Sequence, residues 1–279
     1  MSHLLSGLVT EADLAAYDRD GAIVVRNVLD MEAVERVRSA SARAVEIMLL
    51  RNEAQGKPRP TEPAFHNVLF MFRFDPEFLA IATKTNLAKV AGDVMQSDKV
   101  ILFGDHLLVK EPGTEETTPW HHDLPYWPIR GQKMCSVWLA MDEVTLETGA
   151  LEYIAGSHKW GRMFQPEAFG KPGKIPGLEE LEPIPDIEAE RERHTILSWD
   201  LKPGDVLVHH PLVVHGAGRN ARTDRHRRAL SLRYTGDDVR FTGTTMMGGN
   251  EGPFAVPLEI GDPLDKNGVY PVALERALT

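Results

Sequence analysis

The sequence predicts a mainly β protein with an α-helical flank, whose core is a double-stranded β-helix (a cupin-like jelly roll). Helical patterns come first along the chain, and strand-like segments follow from Lys99 onwards. This order is typical of one antiparallel β-core with helices to one side. The later segments are short and numerous, as in a double-sheet jelly roll. We therefore expect the N-terminal helices to pack on the outside of one sheet.

The helical flank covers about residues 1–98. Thr10 is a good N-cap for a first short helix, and Asp30 is a good N-cap for a long helix that runs to about Asn52. Two shorter helical stretches follow within residues 76–96. Apolar residues of the long helix recur near one stripe, which indicates an amphipathic helix.

The jelly-roll core covers about residues 99–245, and residues 246–279 form a C-terminal tail of the same single domain, 1–279. Residues 164–194 are rich in proline, glycine and acids, which predicts a lid inserted over the barrel mouth. A solvated surface excursion is the open alternative. The predicted strands are Ala22–Val25, Val100–Phe103, Leu107–Val109, Met134–Met141, Ala150–Ile154, Thr195–Trp199, Val206–Val208 and Ala229–Tyr234.

The composition of the 279 residues argues against several kinds of partner. A net charge of −10 disfavours nucleic acid, which needs a basic surface. No segment approaches the run of about 18 apolar residues that a membrane span needs. The one cysteine, Cys135, cannot form an internal disulfide, which fits a reducing compartment. We expect a cytoplasmic protein that acts on a small molecule, and the oligomeric state stays open.

The strongest functional signal is the segment Trp120-His121-His122-Asp123. Side chains two residues apart in an extended chain point the same way, so His121 and Asp123 face one side. His122 faces the other side. The pattern therefore offers one nitrogen ligand and one oxygen ligand on the same patch.

A third ligand has to come from a distant segment. His215 is favoured, because it precedes Gly216-Ala217-Gly218, where the backbone can pass close to a bound group. His209 and His210 are the alternatives. Two histidines and one carboxylate on one face of a metal form the facial triad of non-haem Fe(II) oxygenases. The sequence thus predicts an iron site that activates O2.

A dicarboxylate cosubstrate on such a metal would need an arginine for its far carboxylate, because the planar guanidinium meets a carboxylate with two parallel hydrogen bonds. Strand alternation puts Arg227, Ala229, Ser231 and Arg233 on one face, which is small and polar. The other face is mostly apolar and would lie under the helices. We therefore favour Arg227, with Ser231 as a hydroxyl neighbour. The competing arginines are Arg222, Arg225 and Arg228.

Taken together, these motifs resemble the phytanoyl-CoA dioxygenase family of Fe(II)/2-oxoglutarate-dependent oxygenases. The similar segments keep the family's order over roughly residues 8–236. They are Asp20–Val25, Lys110–Gly113, Trp120–Trp127, Ser136–Ala140, Glu147–Leu151, Gly156–His158, Pro203–Asp205, His215–Gly218, Asn220 and Arg227–Leu230.

The resemblance implies roles for individual residues. It assigns the metal to His121, Asp123 and His215, and the 2-oxoglutarate arginine to Arg227. It also suggests that three further residues line the cosubstrate pocket, namely Trp138, Lys110 and His106. Two departures matter: Ala217 stands where the family often has serine, and the interval from His215 to Arg227 is one residue longer than in many relatives. The longer interval keeps Arg225 and Arg228 open as alternatives.

The resemblance further implies that the protein uses Fe(II), 2-oxoglutarate and O2 to hydroxylate an unactivated C–H bond of a small metabolite, with succinate and CO2 as products. The carboxylate of Asp123 favours hydroxylation over halogenation. The residues that could shape the substrate site are Tyr126, Trp127, Arg73 and Arg233. Two other readings stay open: a cupin-type metalloenzyme that uses no 2-oxoglutarate, and a non-catalytic jelly-roll binding module.

Overall fold

Two antiparallel sheets form the centre of the molecule. The structure is a computed structural model and describes residues 6–165, 167–168, 171–174, 181–243 and 256–276. Within these residues the α-helices are α1 (Glu11–Asp20), α2 (Met31–Ala54), α3 (Pro76–Lys84) and α4 (Asn86–Met95). The strands are β1 (Ala22–Val25), β2 (Phe65–Leu69), β3 (Lys99–Lys110), β4 (Thr118–His121), β5 (Ile129–Arg130), β6 (Met134–Ala140), β7 (Leu151–Ile154), β8 (Glu167–Ala168), β9 (Lys171–Lys174), β10 (Ile196–Leu197), β11 (Val206–His209), β12 (His215–Ala217), β13 (Arg227–Thr235), β14 (Arg240–Phe241) and β15 (Val272–Glu275).

The larger sheet has the strand order β1-β11-β6-β13-β3-β15, and β2 also pairs with β3. The smaller sheet has the order β10-β7-β12-β4. Most neighbours in both sheets are distant in sequence, and their pairings are antiparallel. This arrangement is that of a jelly roll, so the predicted fold class is confirmed.

The alternation of β13 sets up both layers of the core. Leu230, Leu232 and Tyr234 are buried in the apolar core between the larger sheet and the helices. The Tyr234 hydroxyl donates a hydrogen bond of 2.8 Å to the Ala82 carbonyl of α3. The intervening side chains of β13 face the space between the two sheets, where a second apolar cluster surrounds Trp138. The predicted division of β13 into an apolar and a polar face is confirmed.

The helices begin where the sequence predicts. Thr10 and Asp13 form a capping box at α1, in which each side chain accepts from the other residue's backbone N–H. Asp30 caps α2 by accepting from the Ala33 N–H at 2.8 Å. Helix α2 ends at Ala54, slightly beyond the predicted end. Among the described residues, no helix is long and apolar enough to cross a bilayer.

Within the larger sheet, three strand assignments differ from the prediction. Residues 99–110 form one continuous strand, β3, where the sequence predicts two strands interrupted by Gly104-Asp105-His106. Pairing with β13 on one side and with β2 and β15 on the other supplies the backbone partners that hold this polar stretch extended. Strands β2 and β15 lie in the predicted flank and tail, and both join the larger sheet.

The predicted lid over residues 164–194 is described in part. Strands β8 and β9 pair with each other inside it. Residues 166, 169–170 and 175–180 lie outside the described residues. The lid, like the division of the chain into flank, core and tail, stays a prediction.

Candidate metal centre

The pairing of β4 with β12 brings two remote histidines together. His121 ends β4, His215 begins β12, and the two are direct partners in the ladder. Their ring centroids are 4.2 Å apart. Asp123 follows two residues after His121, and the ligand atoms of all three side chains lie within 4.8 Å of one another. The smaller sheet therefore assembles two imidazoles and one carboxylate at one point.

Both imidazoles are oriented by backbone carbonyls. The Nδ1 atom of His121 lies 2.9 Å from the Pro119 oxygen, and that of His215 lies 3.0 Å from the Val213 oxygen. A carbonyl can only accept, so this network assigns the proton to Nδ1 and leaves the Nε2 lone pair for a metal. Burial lowers the pKa of both histidines, that of His215 far below its ordinary value. Both rings are therefore in the neutral form that a metal requires.

The carboxylate of Asp123 is held through one oxygen. Its Oδ2 accepts a 2.8 Å hydrogen bond from the Ser136 hydroxyl and lies 3.4 Å from Nε2 of His209. Its Oδ1 lies 3.8 Å from Nε2 of His121. Burial raises the pKa of Asp123, but the hydrogen bond from His209 and the charge of Arg233 outweigh it and hold the pKa well below its ordinary value. Asp123 is thus an anion with one oxygen directed towards the histidines.

His209, an alternative third ligand, has a different environment. The residue is buried, and its ring centroid lies 4.6 Å from that of His215. Its Nδ1 atom makes a 3.1 Å hydrogen bond with the Tyr153 hydroxyl, and its Nε2 faces Asp123. His209 therefore supports the carboxylate from behind, with both ring nitrogens engaged by protein groups.

His210, the other alternative ligand, and His122, the neighbour of His121, both point away from the candidate metal site. His210 packs against the rings of Tyr17 and His158 near β1. His122 accepts a 2.9 Å hydrogen bond from the Phe164 N–H through Nε2. Its side chain lies on the opposite side of the chain from His121, as the alternation predicts.

The three candidate ligands line a cavity between the two sheets. Its walls also include Trp138, Ser231, His106, Arg227 and Arg233. All of these side chains are mostly buried, so the cavity is enclosed by the core of the jelly roll. A molecule bound there would be largely shielded from water.

Arg227 is a buried cation at the wall of this cavity. Its side chain is 1% exposed, and its Nε and Nη1 atoms have no hydrogen-bond partner within the described residues. The guanidinium carbon lies 5.6 Å from the Trp138 ring and 5.8 Å from the Phe65 ring. Burial lowers the pKa of Arg227 to about 10, so it stays charged at neutral pH. Buried donors without acceptors indicate a site for an anion.

The competing arginines are already paired at the surface. Arg222 forms an ion pair with Asp224 at 2.9 Å. Arg225 pairs with Glu143 at 2.7 Å, and Arg228 pairs with Asp142 at 2.7 Å. The geometry therefore favours Arg227 over all three as the arginine that faces the cavity.

Lys110 and His106 lie on β3, next to β13, where they are opposite Arg227 and Ser231 in the ladder. Lys110 is fully buried and donates a short hydrogen bond to the Gly218 carbonyl. Burial and the charge of Arg227 lower the pKa of Lys110 to about 6, so its amine is mostly neutral at pH 7. The Nε2 atom of His106 lies 3.2 Å from the side-chain oxygen of Asn67.

The candidate substrate residues separate into three groups. Arg233 lines the cavity. Tyr126 and Trp127 are buried in the apolar core, where the Tyr126 ring meets the His121 ring edge-on at 6.2 Å. Arg73 is not among the described residues that line the cavity, and its role in substrate binding stays a prediction. Its guanidinium stacks on aromatic rings instead, 5.0 Å from that of Phe70.

Ser136 and Tyr153 also belong to the site, although the sequence did not predict them: Ser136 contacts Asp123, and Tyr153 contacts His209. Ser136 could have been found, because it lies two residues before Trp138 on β6 and therefore shares its face. Tyr153 is opposite His215 in the β7–β12 ladder. No local pattern predicts that pairing, because the two strands are far apart in sequence.

A jelly roll whose cavity gathers two histidines, a carboxylate and a buried arginine has the architecture of a non-haem iron oxygenase. Residues 17–229 match the family model described as phytanoyl-CoA dioxygenase (PhyH), and the chain belongs to this family. The resemblance seen in the motifs is therefore confirmed.

Individual relatives agree with the family. The chain is 27% identical to a Caenorhabditis elegans protein named "Probable phytanoyl-CoA dioxygenase", over 82% of this chain and 77% of that protein. It is 23% identical to the peroxisomal phytanoyl-CoA dioxygenase of Homo sapiens, over 81% of this chain and 68% of that protein. The non-heme alpha ketoglutarate dependent carbocyclase SnoK from nogalamycin biosynthesis has a similar structure, with a TM-score of 0.72 and 20% identity over 98% and 99% of the two chains. At that identity the likeness shows the fold alone.

Proposed function

We propose that this protein is an Fe(II)- and 2-oxoglutarate-dependent dioxygenase that hydroxylates an unactivated C–H bond of a small metabolite. His121, Asp123 and His215 would hold the ferrous ion, and Arg227 would bind the far carboxylate of 2-oxoglutarate. When bound, the iron supplies O2 activation, coupled to conversion of 2-oxoglutarate to succinate and CO2. The single observation that carries the proposal is the buried guanidinium of Arg227 in the cavity of the triad, whose Nε and Nη1 lack a hydrogen-bond partner among the described residues.

The chain's own groups fit this chemistry. The Pro119 and Val213 carbonyls hold the two imidazoles in the tautomer in which Nδ1 carries the proton and Nε2 carries the lone pair. Ser136 and His209 hold one oxygen of Asp123, which leaves the other for the metal. Trp138 and the apolar walls of the cavity exclude water, which strengthens the ion pair between Arg227 and a carboxylate.

The presence of Asp123 supports hydroxylation over halogenation, because a halide would need the coordination position that the carboxylate takes. A cupin-type metalloenzyme without 2-oxoglutarate would leave the buried charge of Arg227 without a partner. A non-catalytic binding module would not require two neutral histidines with converging lone pairs.

The proposal is tested by titrating 2-oxoglutarate into the protein loaded with Mn(II) without oxygen. Arg227→Gln should weaken 2-oxoglutarate binding at least about 100-fold, because a buried bidentate pair is lost. Arg228→Gln is the matched control: it removes one charge from the same strand, on the helix side, and should bind 2-oxoglutarate like the native protein. Metal binding without any 2-oxoglutarate binding would favour the cupin-type alternative, and absence of both would favour the binding module.

A further inference from the structure

Arg233 is a second buried guanidinium in the same cavity. Its side chain is 6% exposed, and its Nε and Nη1 atoms lack hydrogen-bond partners in the part of the chain that the structure describes. Its Nη2 lies 3.3 Å from Nδ1 of His106, and its guanidinium carbon lies 5.6 Å from the Trp127 ring. Since Nε2 of His106 faces the Asn67 oxygen, Nδ1 is its acceptor and holds one nitrogen of the guanidinium in place.

The two nearest carboxylates are engaged by other donors. Asp105 accepts hydrogen bonds of 2.6 Å from the backbone N–H groups of Met71 and Phe72. It pairs with Leu232 in the ladder and so shares the helix-facing side of the sheet. Asp123 accepts from Ser136 through Oδ2 and offers Oδ1 to the metal. Neither carboxylate forms an ion pair with Arg233 among the described contacts.

Arg233 and Arg227 serve different parts of the cavity. They are six positions apart on β13, which puts their Cα atoms about 20 Å apart along the strand. Arg227 is opposite Lys110 and Arg233 is opposite Gly104. The positive charge of Arg233 lowers the pKa of Asp123 and of His121, whereas that of Arg227 lowers the pKa of Lys110. A 2-oxoglutarate that reaches from the metal to Arg227 therefore leaves the Nε and Nη1 atoms of Arg233 without an acceptor among the described residues.

With a ferrous ion and 2-oxoglutarate bound, the charge balance of the cavity also leaves one positive charge without a partner. A ferrous ion and a 2-oxoglutarate dianion cancel each other, and Asp123 balances one of the two guanidinium groups. Lys110, with its pKa lowered to about 6, adds little positive charge at pH 7. Asp105 is only about half-ionised at pH 7, because burial raises its pKa to about 7. One positive charge beside the metal is left for an incoming molecule.

We propose that the substrate carries a carboxylate group and that Arg233 binds it, next to the metal. This inference rests on the proposed function, since it assigns the group on Arg227 to 2-oxoglutarate. His106 is a positioning residue, because it holds the Arg233 guanidinium and contacts the carboxylate only through it. The substrate class is thus a small carboxylic acid, with the carbon to be oxidised within reach of the metal when the carboxylate is on Arg233.

The test uses the whole protein loaded with Zn(II) and 2-oxoglutarate, which permits binding without turnover. Acetate, propionate, butyrate and benzoate are titrated by calorimetry, each beside its uncharged amide. The native protein should bind at least one acid at least about tenfold more tightly than its amide, and Arg233→Gln should remove that preference. Arg228→Gln, with the same loss of charge, should keep it. If Arg233→Gln does not fold, Arg233→Lys is scored, and it should weaken acid binding because it lacks the planar fork.

Equal binding of acids and amides by the native protein, or no binding of either, would overturn the inference. So would an Arg233 variant that binds the acids as the native protein does. A loss of 2-oxoglutarate affinity in Arg233→Gln as large as its loss of acid affinity would assign Arg233 to the cosubstrate instead. If the native protein binds no 2-oxoglutarate, the proposed function itself fails. The acids are then titrated into the Zn(II)-loaded Arg227→Gln protein, where Arg233 is scored separately.

Discussion

At Asp123, the two carboxylate oxygens have different tasks. One is held by the Ser136 hydroxyl and His209, and the other is directed towards His121. Holding one oxygen restricts rotation of the side chain, so the free oxygen is oriented before a metal arrives. Such supporting hydrogen bonds contribute to metal affinity although the supporting residue never touches the metal.

Ser136→Ala should therefore lower the affinity for Mn(II) about 10- to 100-fold, less than Asp123→Ala, which should abolish binding. The measurement is calorimetric titration of the metal-free protein. Ser41→Ala is the matched control, because Ser41 is equally buried but donates its hydroxyl hydrogen bond to the Val37 carbonyl inside α2. Equal metal affinity in the Ser136→Ala and native proteins would show that His209 alone orients the carboxylate.

At the scale of elements, short connections decide how the helices meet the larger sheet. The turn before β11 is one of them. The Gly204 carbonyl accepts from the N–H groups of Val28 and Leu29, which precede α2, and the Gly204 N–H donates to Ala140 at the end of β6. Gly204 has a φ of +92°, and a Cβ there would lie 2.3 Å from the Leu29 oxygen. This turn therefore requires glycine for both conformation and space.

Gly204→Ala should reduce the free energy of unfolding by more than about 3 kcal/mol, because a left-handed conformation costs about 1–2 kcal/mol and the backbone clash adds to it. Gly161→Ala is the control. Gly161 also has a positive φ, of +65°, but a Cβ there would meet nothing within 4 Å. It should cost only about 1–2 kcal/mol. Urea denaturation measures both, and similar losses would mean that the turn shifts to admit the methyl group.

For the molecule as a whole, many buried histidines make the fold sensitive to acid. Burial lowers the pKa of His122 and of His210 to about 4, and it lowers the pKa of His106 and of His215 well below the ordinary value. The unfolded chain binds protons below about pH 6.5, whereas these folded histidines do not. The stability that they contribute is therefore present above pH 6.5 and lost as the pH falls towards 4.

The metal-free protein should lose stability between pH 7 and pH 5, by about 2 kcal/mol for each of His122 and His210. Asp105 acts in the opposite sense: its pKa is raised to about 7, so it adds stability as the pH falls and offsets about one histidine. Chemical denaturation at several pH values measures the slope, and His210→Gln should flatten it. A free energy of unfolding that stays constant or increases towards pH 5 would contradict this account.

Much of the architecture and of the site could be read from local patterns. The caps at Thr10 and Asp30 depend on neighbouring residues, and so does the helical stripe of α2. The two-residue period of strands puts His121 beside Asp123 and places Arg227 and Arg233 on one face. These features are physical consequences of the nearest few residues, so no knowledge of distant contacts is needed.

Other features depend on which distant segments meet. The continuity of β3 comes from its partners on both sides, and β2 and β15 are strands only because β3 is there to pair with them. Arg227 and Arg73 have the same chemistry, yet Arg227 faces the cavity and Arg73 is stacked on aromatic rings. Burial and pairing are properties of the packed chain. They cannot be predicted from short-range patterns, because long-range contacts decide which charges keep a partner.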